Sequence, residues 1–543
     1  MRRFRFLLMG IAFLASIPAA QAQIYKVTLN GANEIPVVVT PGTGSAIITL
    51  NPVTHEMRVR VSFTGLIGNS TASHVHCCAV QPTNAGVATT SPTFPGTPLG
   101  VTSGSWDRTY DMSQAGAWNA PFVAANGGTA AGAEAAFIAG VKAGQVYLNI
   151  HSSVFGGGEI RGFLILNSFA ANAAGNAKGA GAALDSLGAG TGVLSDALVN
   201  LAALSTAEQA VAIDKLKPTS SRGTLVAVSE SVSTAFDQVS NRLDGLRLAD
   251  GGQTPVVPTA LGNLPDQAHN GFWVSANGVN SRQKSKDGFA GYTNGGWGMS
   301  GGFDRRLAPR QFVGGGVSYF DSSLTYRNQA AGDHADMTST QVTLYGSQGI
   351  GRVFIDGMAA YGWQEYDTTR NTGLTGIAAG KFHGHLWGSR LSAGTPIGLS
   401  SRVSVTPEGR LDWDKIRQYG YTETGGGPLA LGVESRSAQR FRGSLGGQLD
   451  FATHTGDFKA KPFVRAFWHH NFSNDAINSP AAFVSGGTSF FTPGQELDRD
   501  PYSLGAGINF YTEGAFTAAL VYDGNFSKGY QSHAYQAKLR WTF

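Results

Sequence analysis

Three histidines, two glutamates and a pair of adjacent cysteines have the types and spacing that could do chemistry: His74, His76 and His151, Glu34 and Glu159, and Cys77-Cys78. Positions 74 and 76 are two apart, so in an extended strand both imidazoles project from one face, where they can chelate a single metal ion. His151, from a distant strand, would complete a set suited to copper or zinc. The competing reading is a polar seam in which the rings only hydrogen-bond and Glu159 and Arg161 form a structural pair beside the strands. Cys77 and Cys78 are equally open: they form a vicinal disulfide, stay as two thiols, or join a metal beside His76. To bring His74 to His151, residues 23–168 must fold as strands. Tyr25 to Leu29, Gly44 to Leu50, Met57 to Phe63, Gly104 to Asp111 and Val146 to His151 read as such, separated by Gly, Pro and Asn. The pattern predicts an antiparallel β-sandwich or small barrel able to bury its own core.

Other chemistries lack their motifs. No nucleophile elbow or phosphate-binding glycine loop stands at a strand-to-helix turn, since the glycine- and serine-rich run at 296–302 falls inside an expected barrel strand, and there is no His-Glu-x-x-His helix, so hydrolase, nucleotide and metalloprotease readings gain no support. The formal charge of +4 is small and the basic residues are scattered, which gives no reason to expect nucleic acid as a partner. Two adjacent cysteines cannot staple a long loop within one chain. With 74 glycines in 543 residues and 14% charged residues, the composition departs from that of a cytosolic enzyme.

The two ends point to a membrane. Arg2, Arg3 and Arg5 precede the apolar run Phe6 to Ile17, and Ala20-Gln21-Ala22 follows, so residues 1–22 are expected to be a secretory signal peptide. At the other end Tyr535, Ala537, Leu539, Trp541 and Phe543 alternate with Ala534, Gln536, Lys538, Arg540 and Thr542. An apolar face for lipid, a polar face for a wet lumen and aromatic rings for the headgroup boundary are the marks of a membrane barrel strand. From about residue 270 to 543 the chain reads as twelve such strands, with short turns such as 307–311 and 512–514 and long loops at 367–380 and 474–497. Between these parts, apolar residues recur at helical spacing. Ser205 and Glu208 offer a capping box, Lys217-Pro218 a stop, and residues 220–248 a helix long enough to cross a bilayer but too polar to face lipid. A water-filled barrel lumen would accept it. Residues 249–269, with Pro255, Pro258 and Pro265, read as an extended connector.

This order resembles the type V autotransporters. The resemblance is carried by Leu201-Ala-Ala-Leu204, Glu208 to Ile213, Leu216-Lys-Pro218 and Asn241 to Arg247 before the barrel, and by Tyr522 to Phe526, Ser532 to Tyr535 and Leu539 to Phe543 at its end. It implies that the helix plugs the pore after a passenger has passed, and that Phe543 is a terminal signal read by the barrel-assembly machinery. The passenger in turn resembles the CHRD domain, named for chordin, on Leu29 to Pro36, Gly42 to Ala46, Phe63 to Leu66, Ala72 to His76, Tyr147 to His151 and Gly158 to Gly162. That resemblance implies a fold and no activity.

The expected organisation is a signal peptide at 1–22, a CHRD-like passenger at 23–168, a helical linker at 169–248, a connector at 249–269 and the barrel at 270–543. The expected function is an outer-membrane autotransporter that displays its passenger at the cell surface as a binding or adhesion module. Its expected partners are membrane lipid, the secretion translocon, the barrel-assembly machinery and an extracellular ligand. The alternatives are a surface or periplasmic metal-binding or redox protein centred on His74, His76 and His151, and a simple pore with a periplasmic domain.

Overall fold

A computed structural model describes residues 22–218, 221–249, 270–455, 458–476, 478–511 and 516–542. The expected signal peptide up to residue 21, most of the connector and Phe543 lie outside the described residues. The chain divides into two compact units.

The N-terminal unit is built on β1 Gln23–Asn30, β2 Thr43–Asn51, β3 Glu56–Thr64, β4 Ser70–Cys77 and β5 Gly104–Asp111. There follow helices α1 Ala120–Ala125 and α2 Ala130–Lys142, then β6 Val146–Ser152, β7 Ile160–Phe163 and β8 Ile165–Leu166. The strands form one antiparallel sheet in the order β4-β6-β7-β1-β2-β3-β5, with β8 beside β1, curved as a half-barrel. Period-two alternation sends one set of side chains inward: Val27 and Leu29, Ala46 and Ile48, Met57, Val59 and Val61, Leu148 and Ile150 are all buried. Ala133, Phe137 and Val141 of α2 join the same core. The alternating pattern of this region predicts strands alone, and α1 and α2 are an addition to it. Their signals are local: an alanine-rich run favours helix, and Thr129 caps α2 by accepting from Gly132 N at 3.1 Å.

The linker forms α3 Phe169–Asn172, α4 Lys178–Ser186, α5 Gly192–Ala203, α6 Thr206–Asp214 and α7 Ser221–Ala249. The capping box is made in full. Glu208 N donates to Ser205 Oγ at 3.3 Å, and Ser205 N donates back to the Glu208 carboxylate at 2.9 Å.

In the C-terminal unit the barrel strands are Gly271–Gln283, Tyr292–Ala308, Gln311–Tyr326, His334–Ile350, Val353–Asn371, Ile377–Gly394, Val403–Gln418, Arg436–Phe451, Phe458–Asn474, Tyr502–Tyr511, Phe516–Ser527 and Tyr530–Thr542. Neighbours pair antiparallel, and the last strand pairs with the first from Tyr530↔Gln283 to Thr542↔Gly271, so the sheet closes and leaves no edge. In the last strand Tyr535, Ala537, Leu539 and Trp541 are exposed, while Ala534, Gln536 and Arg540 are buried. Two loop expectations change. The long loop expected at 367–380 is short, because its flanking residues extend the ladder until Asn371 meets Ile377. The strand expected from Leu431 begins instead at Arg436. Leu431–Val433 joins a separate small sheet with Tyr421–Thr422, Ser479–Phe483 and Gly486–Thr492, built from the two longest connections at one end of the barrel. The other end carries the tight turns, such as those linking Ala308 to Gln311 and Ile350 to Val353.

Helix α7 fills the lumen. Its described side chains from Leu225 to Arg247 are buried or half-buried, with none exposed. Gly388 makes room for it on the wall, since a Cβ there would stand 2.8 Å from Val232 Cγ2.

Candidate functional site

His74 and His76 lie on β4, and His151 on the adjacent β6, so alternation turns all three to the same face of the sheet. His74 sits opposite Asn149 in the register, His76 opposite Tyr147, and His151 opposite Ala72. One ring nitrogen from each histidine lies within 4.8 Å of the others. The outer nitrogens are held by carbonyl oxygens of neighbouring loops: His74 Nε2 by Pro92 at 2.5 Å, His76 Nδ1 by Ala85 at 2.9 Å, and His151 Nδ1 by Gly156 at 2.9 Å. The inner nitrogens face one another or Asn149, with His74 Nδ1 3.2 Å from His151 Nε2 and His76 Nε2 3.0 Å from Asn149 Oδ1. His76 also stacks on Tyr147 at a centroid distance of 4.7 Å. His74 and His76 are buried and His151 is half-buried.

Burial lowers the pKa of all three rings, taking His76 down to about 4, against the opposing pull of the carbonyls they donate to. Neutral rings at physiological pH are the form that binds metals. Glu34, buried beside Arg161, is pushed up to about 7 by the same loss of solvent, with Arg161 opposing.

The structure separates Glu159 from Arg161, which were expected to pair. Arg161 has Glu34 as its carboxylate, at 4.0 Å, and donates to Asn33 O, to Asn84 Oδ1 at 2.7 Å and to Pro82 O at 2.9 Å, with its guanidinium 4.6 Å from the Tyr147 ring centre. Glu159 precedes β7 and turns instead to the β3–β4 loop, accepting from Ile67 N at 2.6 Å and from Gly68 N at 3.3 Å, and also from Thr40 Oγ1 at 2.6 Å. Donors that satisfy a carboxylate leave it no need of a cation. Cys77 and Cys78 are joined to each other as a vicinal disulfide that packs against Gly140 of α2.

The lumen of the C-terminal unit is the second constellation. Arg242 makes a two-pronged bond to Asp304 at 2.5 and 2.6 Å, and Arg247 reaches Asp356 at 2.7 Å. Asp237 accepts from Arg390 at 2.6 Å, and Asn241 from Arg465 at 2.7 Å. Glu230 accepts from Tyr530. Beside the helix remains a cavity of about 130 Å³, lined among others by Glu230, Asp237, Arg390, Arg410, Arg440 and Arg465.

Residues 272–523 match the family model described as the autotransporter β-domain, and residues 25–164 match that of the CHRD domain. The chain carries a CHRD domain ahead of an autotransporter β-domain. Among curated proteins it is similar to outer membrane protein B of Rickettsia prowazekii, 25% identical over 340 residues that make up 60% of this chain and 21% of that one. It is also similar to Lipase 1 of Photorhabdus luminescens, 31% identical over 159 residues, 29% of this chain and 23% of that one. The chain spans about a fifth of the length of these relatives. Among solved structures, the translocator domain of autotransporter NalP from Neisseria meningitidis aligns with a TM-score of 0.43 at 15% identity, covering 58% of this chain and 98% of that one.

The β-domain therefore belongs in the outer membrane, with lipid and the assembly machinery of such barrels as its general partners. Within it, α7 has a direction. Its first turns meet the long-loop end, where Gln418 Nε2 donates to Thr224 Oγ1 at 3.1 Å. Its last turns meet Asp304 and Asp356, on the strands next to the tight turns. In the CHRD domain Asn149 joins the site although it is not among the candidates the sequence offers. Its signal was the same two-residue spacing that marks His74 and His76, because Asn149 and His151 share a face of β6.

Proposed function

We propose that the β-domain carries the CHRD domain across the outer membrane and holds it at the cell surface as a module that binds an extracellular ligand. The observation that carries this reading is the polarity of α7. Long loops of such barrels face outward and short turns face the periplasm, and α7 begins at the long-loop mouth. The chain preceding it is attached at that mouth: Arg370 Nη1 donates to Lys215 O at 2.9 Å, and a Cβ on Gly179 would stand 2.9 Å from Phe491 O of the long-loop sheet. A chain that had stayed in the periplasm would enter the lumen from the other mouth.

The binding role is supported by polar burial. The CHRD domain keeps Glu34, His74, His76, Asn149 and Arg161 buried beside an apolar core. Such groups lower stability relative to apolar ones, and convergent polar groups of this kind are what recognition sites use.

The test is an epitope inserted between Gly127 and Gly128, an exposed turn between α1 and α2. Antibody and protease are expected to reach it on intact cells. Access only after the envelope is broken would replace this reading with a periplasmic domain on an anchor.

A further inference from the structure

The contacts of the three histidines fix where their protons are. A backbone carbonyl oxygen can only accept, so the ring nitrogens facing Pro92 O, Ala85 O and Gly156 O are the protonated ones. A neutral imidazole carries one N–H, which leaves lone pairs on His74 Nδ1, His76 Nε2 and His151 Nε2. These lone pairs are directed inward. His74 Nδ1 and His151 Nε2 stand 3.2 Å apart, and His76 Nε2 stands 3.0 Å from Asn149 Oδ1. Both contacts are at hydrogen-bond distance and neither has a hydrogen to share.

The oxygen of the Asn149 amide faces His76 at 3.0 Å, and its nitrogen lies toward Gly158, where an added Cβ would stand 2.8 Å from Nδ2. Acceptors crowded together in this way need a cation between them. Carbonyls that pin the far nitrogen of each ring are also the usual outer shell of metal-bound histidine, since they fix the tautomer and the ring plane.

We propose that His74, His76, His151 and Asn149 Oδ1 hold one divalent ion of the late first-row metals, copper most tightly and zinc next. Zinc-to-nitrogen bonds of about 2.0–2.1 Å place neighbouring tetrahedral donors roughly 3.3–3.4 Å apart, close to the His74 to His151 distance. The widest separation allowed, 4.8 Å, closes by about 1.5 Å when an ion draws the donors in. Three imidazoles and one amide oxygen suit Cu(II) and Zn(II), whereas calcium and magnesium favour oxygen donors throughout. The disulfide keeps Cys77 and Cys78 out of the set. Half-buried His151 leaves one side open to solvent, through which an ion can enter a folded domain.

The experiment uses the full chain in detergent, free of any polyhistidine tag, stripped with a chelator, mixed with Cu(II) or Zn(II) salt and desalted. Metal per chain is then measured for wild type, His74→Gln and His151→Gln, because the chain's 12 histidines include others able to bind adventitiously. Wild type is expected to retain one more ion than either variant. Copper-loaded wild type should also show nitrogen hyperfine coupling in its electron paramagnetic resonance spectrum, lost in the variants. Trypsin resistance of the CHRD domain checks folding. If His74→Gln fails that check, the comparison rests on His151→Gln, whose ring is the least enclosed. Equal metal in wild type and His151→Gln, or no retained metal in wild type, would overturn the proposal. A proton shared between His74 and His151 would then be what joins them.

Discussion

The strands of the CHRD domain and those of the β-domain follow the same two-residue alternation with opposite sign. In β1 to β3 the buried set is Val27, Leu29, Ile48, Met57 and Val59. In the first barrel strand the buried set includes Ser275, Asn277, Ser281 and Gln283, while Phe272 and Val274 are exposed. Backbone geometry is indifferent to this choice, and the solvent beyond each face makes it. The two units should therefore fail differently. The CHRD domain should be sensitive to lost apolar volume, and the lumen to broken polar pairing.

The largest effect is expected from Arg242→Ala. It leaves Asp304, fully enclosed, without its partner, and removing one member of a buried pair typically loses roughly 3–5 kcal/mol. The loss should appear as looser docking of α7, read as increased ion conductance in planar bilayers, with trypsin resistance of the CHRD domain unchanged. Replacing both Arg242 and Asp304 with leucine should recover most of the closure, because a lumen lined by an apolar contact no longer holds an unpaired charge. A single variant with wild-type conductance would show that the helix is held chiefly by Phe236, Leu243 and the apolar residues around them.

Next in size is Leu148→Ala in the CHRD domain. Leu148 is wholly buried and points away from the face that carries Tyr147 and Asn149. Deleting its side chain should lower domain stability by about 2–5 kcal/mol, seen as trypsin sensitivity at a lower temperature, with conductance unaffected. A matched shift in both units would break the comparison by showing that they unfold together.

Glu159 tests polar burial inside the apolar unit. Burial alone would raise its pKa, but hydrogen bonds from Ser152 and Thr40 and from the amides of Ile67 and Gly68 hold it below the usual value. A carboxyl whose folded pKa is depressed contributes stability above its unfolded pKa, and that contribution is lost as pH falls through the folded value. Glu159→Gln should thus weaken the domain at neutral pH by roughly 1–3 kcal/mol. The gap to wild type should narrow on acidification, as followed by melting temperature against pH. A gap independent of pH would mean that Glu159 contributes through shape alone.

What could be read in the sequence depended on range. Alternation and helical spacing are local signals, and they located the barrel strands and α7, which spans Ser221–Ala249 where residues 220–248 were expected. Loop ends were harder. Leu431 was assigned to a barrel strand, but it pairs with Phe483 in a sheet formed by two connections far apart in the chain, and no local pattern encodes that contact. The candidate site divides in the same way. The shared face of His74 and His76 was legible from spacing, whereas the exchange of partners that gives Arg161 to Glu34, and the place of Asn149, depend on how β4, β6 and β7 lie side by side.

The smallest expected effect comes from the linker, where a purely local motif can be separated from both units' cores. Ser205→Ala removes the hydroxyl that accepts from Glu208 N and leaves the Glu208 carboxylate its bond from the backbone of residue 205. Losing such a cap lowers helix stability by about 1 kcal/mol. Ser205 and Glu208 are exposed or partly exposed, so no cavity forms. The expected result is faster amide exchange in the first turn of α6, with neither conductance nor trypsin resistance of the CHRD domain altered. Faster exchange spreading into α5 or α7 would mean that the linker is held by its caps, and that the two oppositely patterned units are coupled through a helix whose stability is set locally.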